Sequence, residues 1–345
     1  MTVENTSSAH RPCIGLTIGD PAGIGPEIVV RALCEPDLYQ QLHPLVYADR
    51  VILEQTIEQL GCPISLNAVS TAAGGRYENG VIDYVDVGSL SHPVCMGRVS
   101  AEGGKAGMAY LECAVNAALS GEITGLATAP LNKESLQAAN IPYIDHTAYL
   151  QARAARRQPM TLFMVRALRI FFLTRHISFR QIPDALDQKS ILSALPLCEL
   201  YLRQLGVDAP RLAVAALNPH GGEDGLFGRE EIEVLIPAVE RARASGCNVH
   251  GPVPADSVFH QCLAGKYDGV LSLYHDQGHI AAKTLDFHGT VSLSMGLEFL
   301  RTSVDHGTAF DIAGQGVADA RGMVAAVMAA ARYAAMVRHN LDLEP

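Results

Sequence analysis

The amino-acid sequence predicts a layered α/β protein with two lobes and a mixed sheet. Short β-branched runs alternate with helical patterns along most of the chain, which is typical of a partly parallel sheet covered by helices. The 345 residues are 48% hydrophobic, which supplies more core than one small domain normally uses. The segment PMTLFMVRALRIFFLT reads as two strands that reverse direction near residues 166–169. An antiparallel element is therefore expected within the sheet.

Seven further segments have the composition of strands, and three have the pattern of helices. The strand candidates are CIGLTIGD, PLVYAD, GVIDYVDVG, ITGLATAP, LAVAAL, GVLSLYHD and TVSLSMG. Apolar residues repeat at helical spacing from Met108 to Leu119, and again from Ile232 to Ala242 after the GREE start. An Ala-rich stretch from Arg321 to Val337 predicts a closing helix.

Composition excludes several kinds of partner and site. A net charge of −10 with scattered Lys and Arg argues against binding to nucleic acid or to an anionic membrane. No apolar stretch approaches the roughly 20 residues of a membrane span, and the opening MTVENTSSAHRP lacks an apolar signal region. Eight cysteines without a CxxC pair indicate neither a disulfide framework nor a cysteine zinc site. These features predict a cytoplasmic protein with a disordered tail at residues 1–12.

Segments rich in polar residues and glycine follow several predicted strands. Ligands bind at these strand ends in open α/β sheets. Three histidines stand close to such strand ends: His176, His220 and His275. Imidazole suits zinc and its first-row neighbours, and three protein ligands leave a position open for substrate. The three histidines form no local motif, so their spacing alone leaves open either a metal site or hydrogen-bonded structural roles.

The other candidate segments carry weaker signals. GDPAGIGPEI matches neither a dinucleotide nor a P-loop fingerprint, so it reads equally as a ligand loop or a plain strand-to-helix turn. Lys283 and Arg301 flank a predicted strand and could hold carboxylate or phosphate, or could be solvated surface charges. Asp276 could orient His275 as a metal ligand or simply cap a turn. No GxSxG elbow or reactive cysteine context is present.

Several long motifs in order make the sequence resemble the 4-hydroxythreonine-4-phosphate dehydrogenase family from about Ile14 to Asp319. The motifs are GDPAGIGPEI, TAPLNKE, HT at residues 146–147, LNPHGGEDGLFG, PADSVF, YHDQGH and RTSVDHGTAFDIAG. The resemblance implies a two-lobed fold similar to isocitrate and isopropylmalate dehydrogenases, with the active site in a cleft between the lobes. It also implies a homodimer, a divalent metal, and NAD that oxidises a secondary alcohol. We expect residues 13–140 and 285–345 in the coenzyme lobe, and residues 141–284 in the other.

The resemblance also implies roles for individual residues. His176, His220 and His275 match the family's metal ligands, shared across the dimer interface; zinc is the expected ion, with magnesium, manganese and cobalt as alternatives. The remaining matches are substrate contacts at His146, Thr147, Lys283 and Arg301, acidic residues around the site at Asp256 and Asp276, and coenzyme contacts at His306 and Gly307. Lys283, Asp256 and Asp276 are therefore the candidate catalytic residues, and the proton acceptor is left unassigned.

Two substrate positions depart from the vitamin B6 enzyme of this family. Asp145 stands where that enzyme has glycine, and Ser292 stands where it has an asparagine that contacts substrate. These departures make the chain more similar to the branch that oxidises C3 of 4-phospho-D-threonate or 4-phospho-D-erythronate, with decarboxylation to dihydroxyacetone phosphate. The alternatives are a 4-hydroxy-L-threonine phosphate dehydrogenase, an enzyme similar to terephthalate dihydrodiol dehydrogenase, and a non-enzymatic metal-stabilised metabolite-binding protein.

Overall fold

The chain divides into two compact units, seen in a computed structural model that describes residues 11–344. Of the described residues, one unit comprises 11–146 and 306–335, and the other comprises 147–305 and 336–344. The predicted disordered tail at residues 1–12 lies, up to residue 10, outside the described residues.

Strands and helices alternate along the described residues. The strands are β1 Cys13–Thr17, β2 His43–Ala48, β3 Ser65–Ala68, β4 Val81–Asp86, β5 Gly125–Thr128, β6 Ala155–Val165, β7 Leu168–Phe172, β8 Leu212–Ala215, β9 Val249–Val253, β10 Gly269–Ser272, β11 Val291–Leu297 and β12 Leu300–Ser303. The α-helices are α1 Gly25–Ala32, α2 Pro36–Gln41, α3 Arg50–Leu60, α4 Ala101–Ser120, α5 Lys133–Ala138, α6 His146–Ala154, α7 Ile182–Ala185, α8 Gln188–Gln204, α9 Ile236–Ala244, α10 Ala255–Leu263, α11 His275–Leu285 and α12 Arg321–His339.

The first unit contains five parallel strands in the order β3-β4-β2-β1-β5. Strand β1 lies between β2 and β5, and four of its five residues are buried. Parallel strands with both faces covered are hydrophobic throughout, which is why CIGLT reads as a continuous apolar run and not as an alternating one. The predicted α/β pattern is confirmed in this unit.

Helix α4 covers part of this sheet. Ser100 caps it by accepting a hydrogen bond from the backbone N–H of Gly103 at 3.0 Å. The predicted apolar stripe is confirmed at Met108, Leu111 and Val115, which are buried. Leu119 is 37% exposed, because it lies in the last turn of the helix, beyond the packed stripe.

The GDPAGIGPEI segment forms the turn between β1 and α1. Gly19 has a φ of +67°, and a Cβ there would lie only 2.2 Å from the carbonyl oxygen of Pro130, so only glycine fits. Asp20 is fully buried and its Oδ1 accepts a hydrogen bond from the N–H of Ala22 at 2.9 Å. The N–H of Ile24 donates to the carbonyl of Thr308 at 3.0 Å. The turn thus ties distant segments of the first unit together.

The second unit contains seven strands in the order β12-β11-β6-β7-β10-β8-β9. Strands β12, β11, β6 and β7 pair antiparallel in turn, whereas β7, β10, β8 and β9 pair parallel. Strands β6 and β7 are joined by a tight turn in which Arg166 has a φ of +53°. The predicted fold class is confirmed, including the antiparallel element and the mixed sheet.

The helical pattern after GREE is confirmed only in part. Leu235, Val239 and Ala242 are buried, but Ile232 and Ile236 are each 37% exposed. The chain forms a π-helical turn at Glu231–Leu235 before α9 begins. A π turn changes the angular spacing of side chains, so residues that share a face in an ideal α-helix no longer do so.

Within residues 11–344, no helix is both long and apolar enough to cross a bilayer.

Replacement of Asp20 by Asn should stabilise the chain at neutral pH. Burial raises the pKa of the Asp20 carboxyl above its ordinary value of 3.8. The folded chain therefore holds this proton more tightly than the unfolded chain, and the free energy of unfolding falls as the pH rises from 3.8 through the raised pKa. Asn keeps an acceptor for Ala22 without a charge, so Asp20→Asn should gain on the order of 1 kcal/mol above this window.

Urea unfolding of wild type and Asp20→Asn across the acidic and neutral range measures this effect. Because other carboxyl groups titrate equally in both chains, the difference between them isolates Asp20. A difference that stays constant with pH would contradict the prediction.

Candidate active site

Three adjacent parallel strands bring the predicted metal histidines to one edge of the second unit's sheet. Strands β7, β10 and β8 are neighbours, so their carboxyl ends point the same way. His176 lies in the loop after β7, His275 begins α11 directly after β10, and His220 lies in the loop after β8. The prediction that all three follow strand ends is therefore met by the topology.

Hydrogen bonds beyond the strands hold these loops in place. Gln277 is buried, and its Oε1 accepts from the N–H of Leu273 at 2.8 Å. Its Nε2 donates to the carbonyl of Ala216 at 2.8 Å. The hydroxyl of Thr174 donates to the carbonyl of Leu273 at 2.7 Å. These bonds tie the chain after β10 to the chain after β8 and after β7.

His176 and His275 lie close together. Their ring centroids are 6.1 Å apart. The Nδ1 of His275 donates to Oδ1 of Asp276 at 2.6 Å. When Nδ1 of a neutral imidazole is the donor, Nε2 is the nitrogen that can bind a metal. The sequence suggested that Asp276 orients His275, and the hydrogen bond between them is present in the structure.

His279 is a third histidine beside His176 and His275, and sequence reasoning missed it. It stacks on His275 with ring centroids 3.6 Å apart and packs against Phe163 and Phe172. Its Nδ1 donates to the carbonyl of His275 at 2.8 Å. Burial lowers the pKa of His279, which favours a neutral ring. The sequence could have indicated His279, because it lies four residues after His275 and therefore on the same face of the helix.

His220 lies in a different segment from that pair, in the loop after β8. It is exposed, and its Nδ1 lies 2.7 Å from Oε1 of Glu223. Its loop has a run of positive φ values, at His220, Glu223 and Asp224 and at the intervening glycines. Among residues 11–344 no group of three or more His, Cys, Asp or Glu side chains is arranged to hold a metal ion. The three-histidine ligand set therefore stays a prediction.

Glu231 anchors the His220 loop, and sequence reasoning missed it. The side chain is 1% exposed, and its Oε1 accepts from the N–H groups of Leu217 and Asn218 at 2.9 and 2.8 Å. Its Oε2 accepts from Nδ2 of Asn218 at 2.8 Å. A buried carboxylate with three donors is a strong local constraint. The available signal was the acidic pair in GREE directly after the loop.

A cavity of about 170 Å³ opens beside the two paired histidines in the second unit. It is lined by Thr147, Thr161, Phe163, Arg175, His176, His275, His279, Ser292, Ser294, Arg301 and Asp305. Five of these are predicted site residues: Thr147, His176, His275, Ser292 and Arg301. The structure adds polar groups that the sequence did not single out, chiefly Thr161, Arg175 and Ser294. Ser294 could have been found because it lies two residues from Ser292, on the same face of a strand.

Lys283 binds Asp305, a residue that lines this cavity. Its Nζ forms an ion pair with Oδ2 of Asp305 at 2.8 Å and donates to the carbonyl of the same residue at 3.0 Å. Asp305 itself lines the cavity. Lys283 is thus joined through the Asp305 carboxylate to the cavity that Ser292 and Arg301 also line.

Asp145, His146 and Asp256, the other predicted substrate or catalytic residues, are not among the residues that line this cavity. Asp145 lies 3.9 Å from Nζ of Lys133, and His146 is buried at the start of α6, both in the first unit. Asp256 is exposed in the first turn of α10. Their assignments to substrate binding or catalysis stay predictions.

The predicted coenzyme residues belong to the first unit. Nδ1 of His306 donates to the carbonyl of Gly307 at 3.0 Å. Among residues 11–344, no atom outside residues 306–308 lies within 4 Å of the point where a Cβ on Gly307 would stand. The next residue, Thr308, accepts the N–H of Ile24 and so joins this segment to the GDPAGIGPEI turn.

Residues 40–330 match the family model described as "Pyridoxal phosphate biosynthetic protein PdxA". The chain belongs to this family. Relatives of similar length carry the name "Putative D-threonate 4-phosphate dehydrogenase". The protein from Symbiobacterium thermophilum is 47% identical over 96% of this chain and 99% of its own. The one from Halalkalibacterium halodurans is 48% identical over 94% and 97%.

Solved structures of related proteins share the fold. A 4-hydroxythreonine-4-phosphate dehydrogenase from Klebsiella pneumoniae has a TM-score of 0.88 and 38% identity, covering 95% of this chain and 99% of its own. A terephthalate 1,2-cis-dihydrodiol dehydrogenase from Burkholderia xenovorans has a TM-score of 0.60 and 30% identity, covering 90% and 95%. The predicted resemblance and the predicted class, a dehydrogenase, are confirmed.

Replacement of Glu231 by Ala should loosen the His220 loop. The change leaves the N–H groups of Leu217 and Asn218 without their buried acceptor, which should cost about 3 kcal/mol of the free energy of unfolding. Amide hydrogen exchange in residues 217–228 should speed up more than elsewhere. The matched control is Glu233→Ala, which removes an exposed ion pair with Arg229 and should cost less than about 1 kcal/mol. Equal exchange in this loop for both variants would show that Glu231 does not anchor it.

Proposed function

We propose that this dehydrogenase oxidises C3 of 4-phospho-D-threonate or 4-phospho-D-erythronate with NAD and a divalent metal, and that the product loses carbon dioxide. The observation that carries the proposal is the single cavity that joins His176 and His275 to Thr147, Ser292 and Arg301. The names of the relatives, at 45–48% identity, support a phosphorylated hydroxy acid as substrate. The protein would act on this small metabolite in the cytoplasm.

The histidines of this chain fit a metal. Nδ1 of His275 is engaged by Asp276 and Nδ1 of His220 by Glu223, so each ring would offer Nε2 as a ligand. Carboxylates that bind the second ring nitrogen orient ligand histidines and raise their basicity. His176, His275 and His220 would hold the ion, and zinc is proposed because imidazole suits it.

The reaction follows from the chemistry of the substrate and of these residues. A bound divalent ion supplies Lewis acidity that favours loss of the C3 hydroxyl proton and stabilises charge on the carbonyl oxygen. NAD would supply the hydride acceptor, so that C3 would become a ketone β to the C1 carboxylate. Loss of carbon dioxide and protonation at C2 would then yield dihydroxyacetone phosphate. Lys283, Asp256 and Asp276 are the candidate groups for moving protons.

NAD is proposed to bind along His306 and Gly307. The open space at Gly307 supports this, because a backbone without a side chain allows a ligand to approach closely. The hydrogen bond between Ile24 and Thr308 would keep this segment in one position when the coenzyme binds.

We propose further that two copies of the chain share each metal site. In one chain His176 and His275 lie close together, and no group of three ligand-type side chains forms within residues 11–344, so His220 of a second copy would complete the ligands. Exposed apolar side chains accompany both halves of the site and would be covered in such a dimer. They are Leu226 and Phe227 beside His220, and Phe179 near His176, exposed by 72%, 49% and 78%.

A second candidate substrate is 4-hydroxy-L-threonine phosphate. The similar solved structures from Klebsiella pneumoniae and Burkholderia phymatum carry the name 4-hydroxythreonine-4-phosphate dehydrogenase. Asp145 and Ser292 argue for the threonate substrate, as the two positions where this chain departs from that enzyme's pattern. Ser292 lines the cavity, where a shorter side chain than asparagine changes the hydrogen bonds on offer.

Direct assay decides between the substrates. We expect the zinc-loaded protein to reduce NAD with 4-phospho-D-threonate or its erythro isomer at a kcat/KM at least about tenfold above that with 4-hydroxy-L-threonine phosphate. Dihydroxyacetone phosphate should form in step with NADH. NADH formation without dihydroxyacetone phosphate would exclude decarboxylation, and a preference for the amino substrate would exclude the threonate assignment.

Mixed dimers test the shared metal site. His176→Ala and His220→Ala should each be inactive, because a ligand is lost. When the two variants are unfolded, mixed and refolded together, about half of the dimers are mixed, and each mixed dimer has one intact site if ligands come from both chains. Activity should then recover to about a quarter of wild type. Recovery should be absent if each site is built from one chain, and His176→Ala refolded alone is the control.

A further inference from the structure

Three polar side chains form one row across the antiparallel strands of the second unit. In the strand register, Ser294 of β11 is opposite Thr161 of β6 on one side and Arg301 of β12 on the other. Side chains directly opposite each other lie on the same face of a sheet. All three line the cavity described above, and Nη1 of Arg301 donates to Oγ of Ser294 at 3.3 Å.

Arg175 extends this row at its other end. It follows β7, the strand that pairs with β6, and its Nη1 donates to Oγ1 of Thr161. Arg175 is half-buried and lines the same cavity. The row therefore has a guanidinium at each end, Arg175 beside Thr161 and Arg301 beside Ser294.

This arrangement has the donors of an oxyanion site. Each guanidinium presents several N–H groups in a plane, and each hydroxyl can donate one hydrogen bond more to a ligand. Two guanidinium groups and two hydroxyls supply more donors than the two oxygens of a carboxylate readily accept, whereas a phosphate has three terminal oxygens.

We propose that Arg175 is a substrate-binding residue, which with Thr161 and Ser294 binds the same phosphate group as Arg301. This assignment rests on the proposed function, since it names the part of the substrate that each end of the cavity holds. A phosphate on this row would leave the hydroxyl and carboxylate end of the substrate for His176 and His275, which line the same cavity. Sequence reasoning missed Arg175, because only the adjacent His176 was a candidate metal ligand in this segment.

Binding experiments on the zinc-loaded full chain test the assignment without turnover. Calorimetry would measure the Kd of inorganic phosphate, 4-phospho-D-threonate and D-threonate for wild type, Arg175→Met and Arg175→Lys. We expect Arg175→Met to bind the two phosphate ligands at least about tenfold more weakly and D-threonate as tightly as wild type. Arg175→Lys should recover part of the loss, because it restores the charge but not the planar fork.

Two controls separate binding from structure. Arg180→Met removes an exposed arginine of the same loop and should leave all three Kd values and the zinc affinity unchanged. Zinc affinity should also be unchanged in Arg175→Met, since Arg175 is not a ligand. If Arg175→Met does not fold, Thr161→Val removes one hydroxyl at constant size and should weaken phosphate binding about threefold or more without weakening D-threonate.

The outcomes are distinct. Equal phosphate affinity in wild type and Arg175→Met, or no phosphate binding by wild type, would overturn the assignment. An equal loss of affinity for D-threonate would move Arg175 to the carboxylate end and overturn it as well. Arg175-dependent binding of 4-phospho-D-threonate without any turnover would support the phosphate site while refuting the proposed reaction.

Discussion

The side-chain amide of Gln277 is the interaction on which the candidate site depends. It accepts from the backbone after β10 and donates to the backbone after β8, at 2.8 Å in both cases. The N–H of Leu273 and the carbonyl of Ala216 are buried, so loss of either hydrogen bond would lower the free energy of unfolding by on the order of 1–3 kcal/mol. Strand pairing alone ends at Ser272 and Ala215, and this amide continues the alignment to the loops that carry His275 and His220.

Parallel and antiparallel strands of the mixed sheet both position residues of the candidate site. Beyond the carboxyl ends of the parallel strands β7 and β10, His176 lies in a loop and His275 is the first residue of α11. The antiparallel strands β6, β11 and β12 deliver Thr161, Ser294 and Arg301 from within their length, since register partners share a face. A parallel sheet alone offers only its loop end, so the antiparallel element creates the polar wall of the cavity.

The His220 loop shows how local strain and a buried charge act together. Non-glycine residues with positive φ, such as His220 and Asp224, are unfavourable unless the surroundings compensate. Glu231 supplies that compensation by binding the N–H groups at the start of the loop. The π-helical turn that begins at Glu231 also exposes Ile232, which explains why an ideal helical pattern failed there.

The sequence by itself determined the fold class, the β6–β7 hairpin, the family and the strand-end positions of His176, His220 and His275. These follow from local periodicity and from contiguous motifs, which depend on neighbours in the chain. Only the tertiary structure decided that Arg175, Thr161, Ser294 and Arg301 line one cavity, and that Glu231 holds the His220 loop. The reason is physical: cross-strand register and buried side-chain hydrogen bonds join residues far apart in sequence, and no spacing within one segment encodes them.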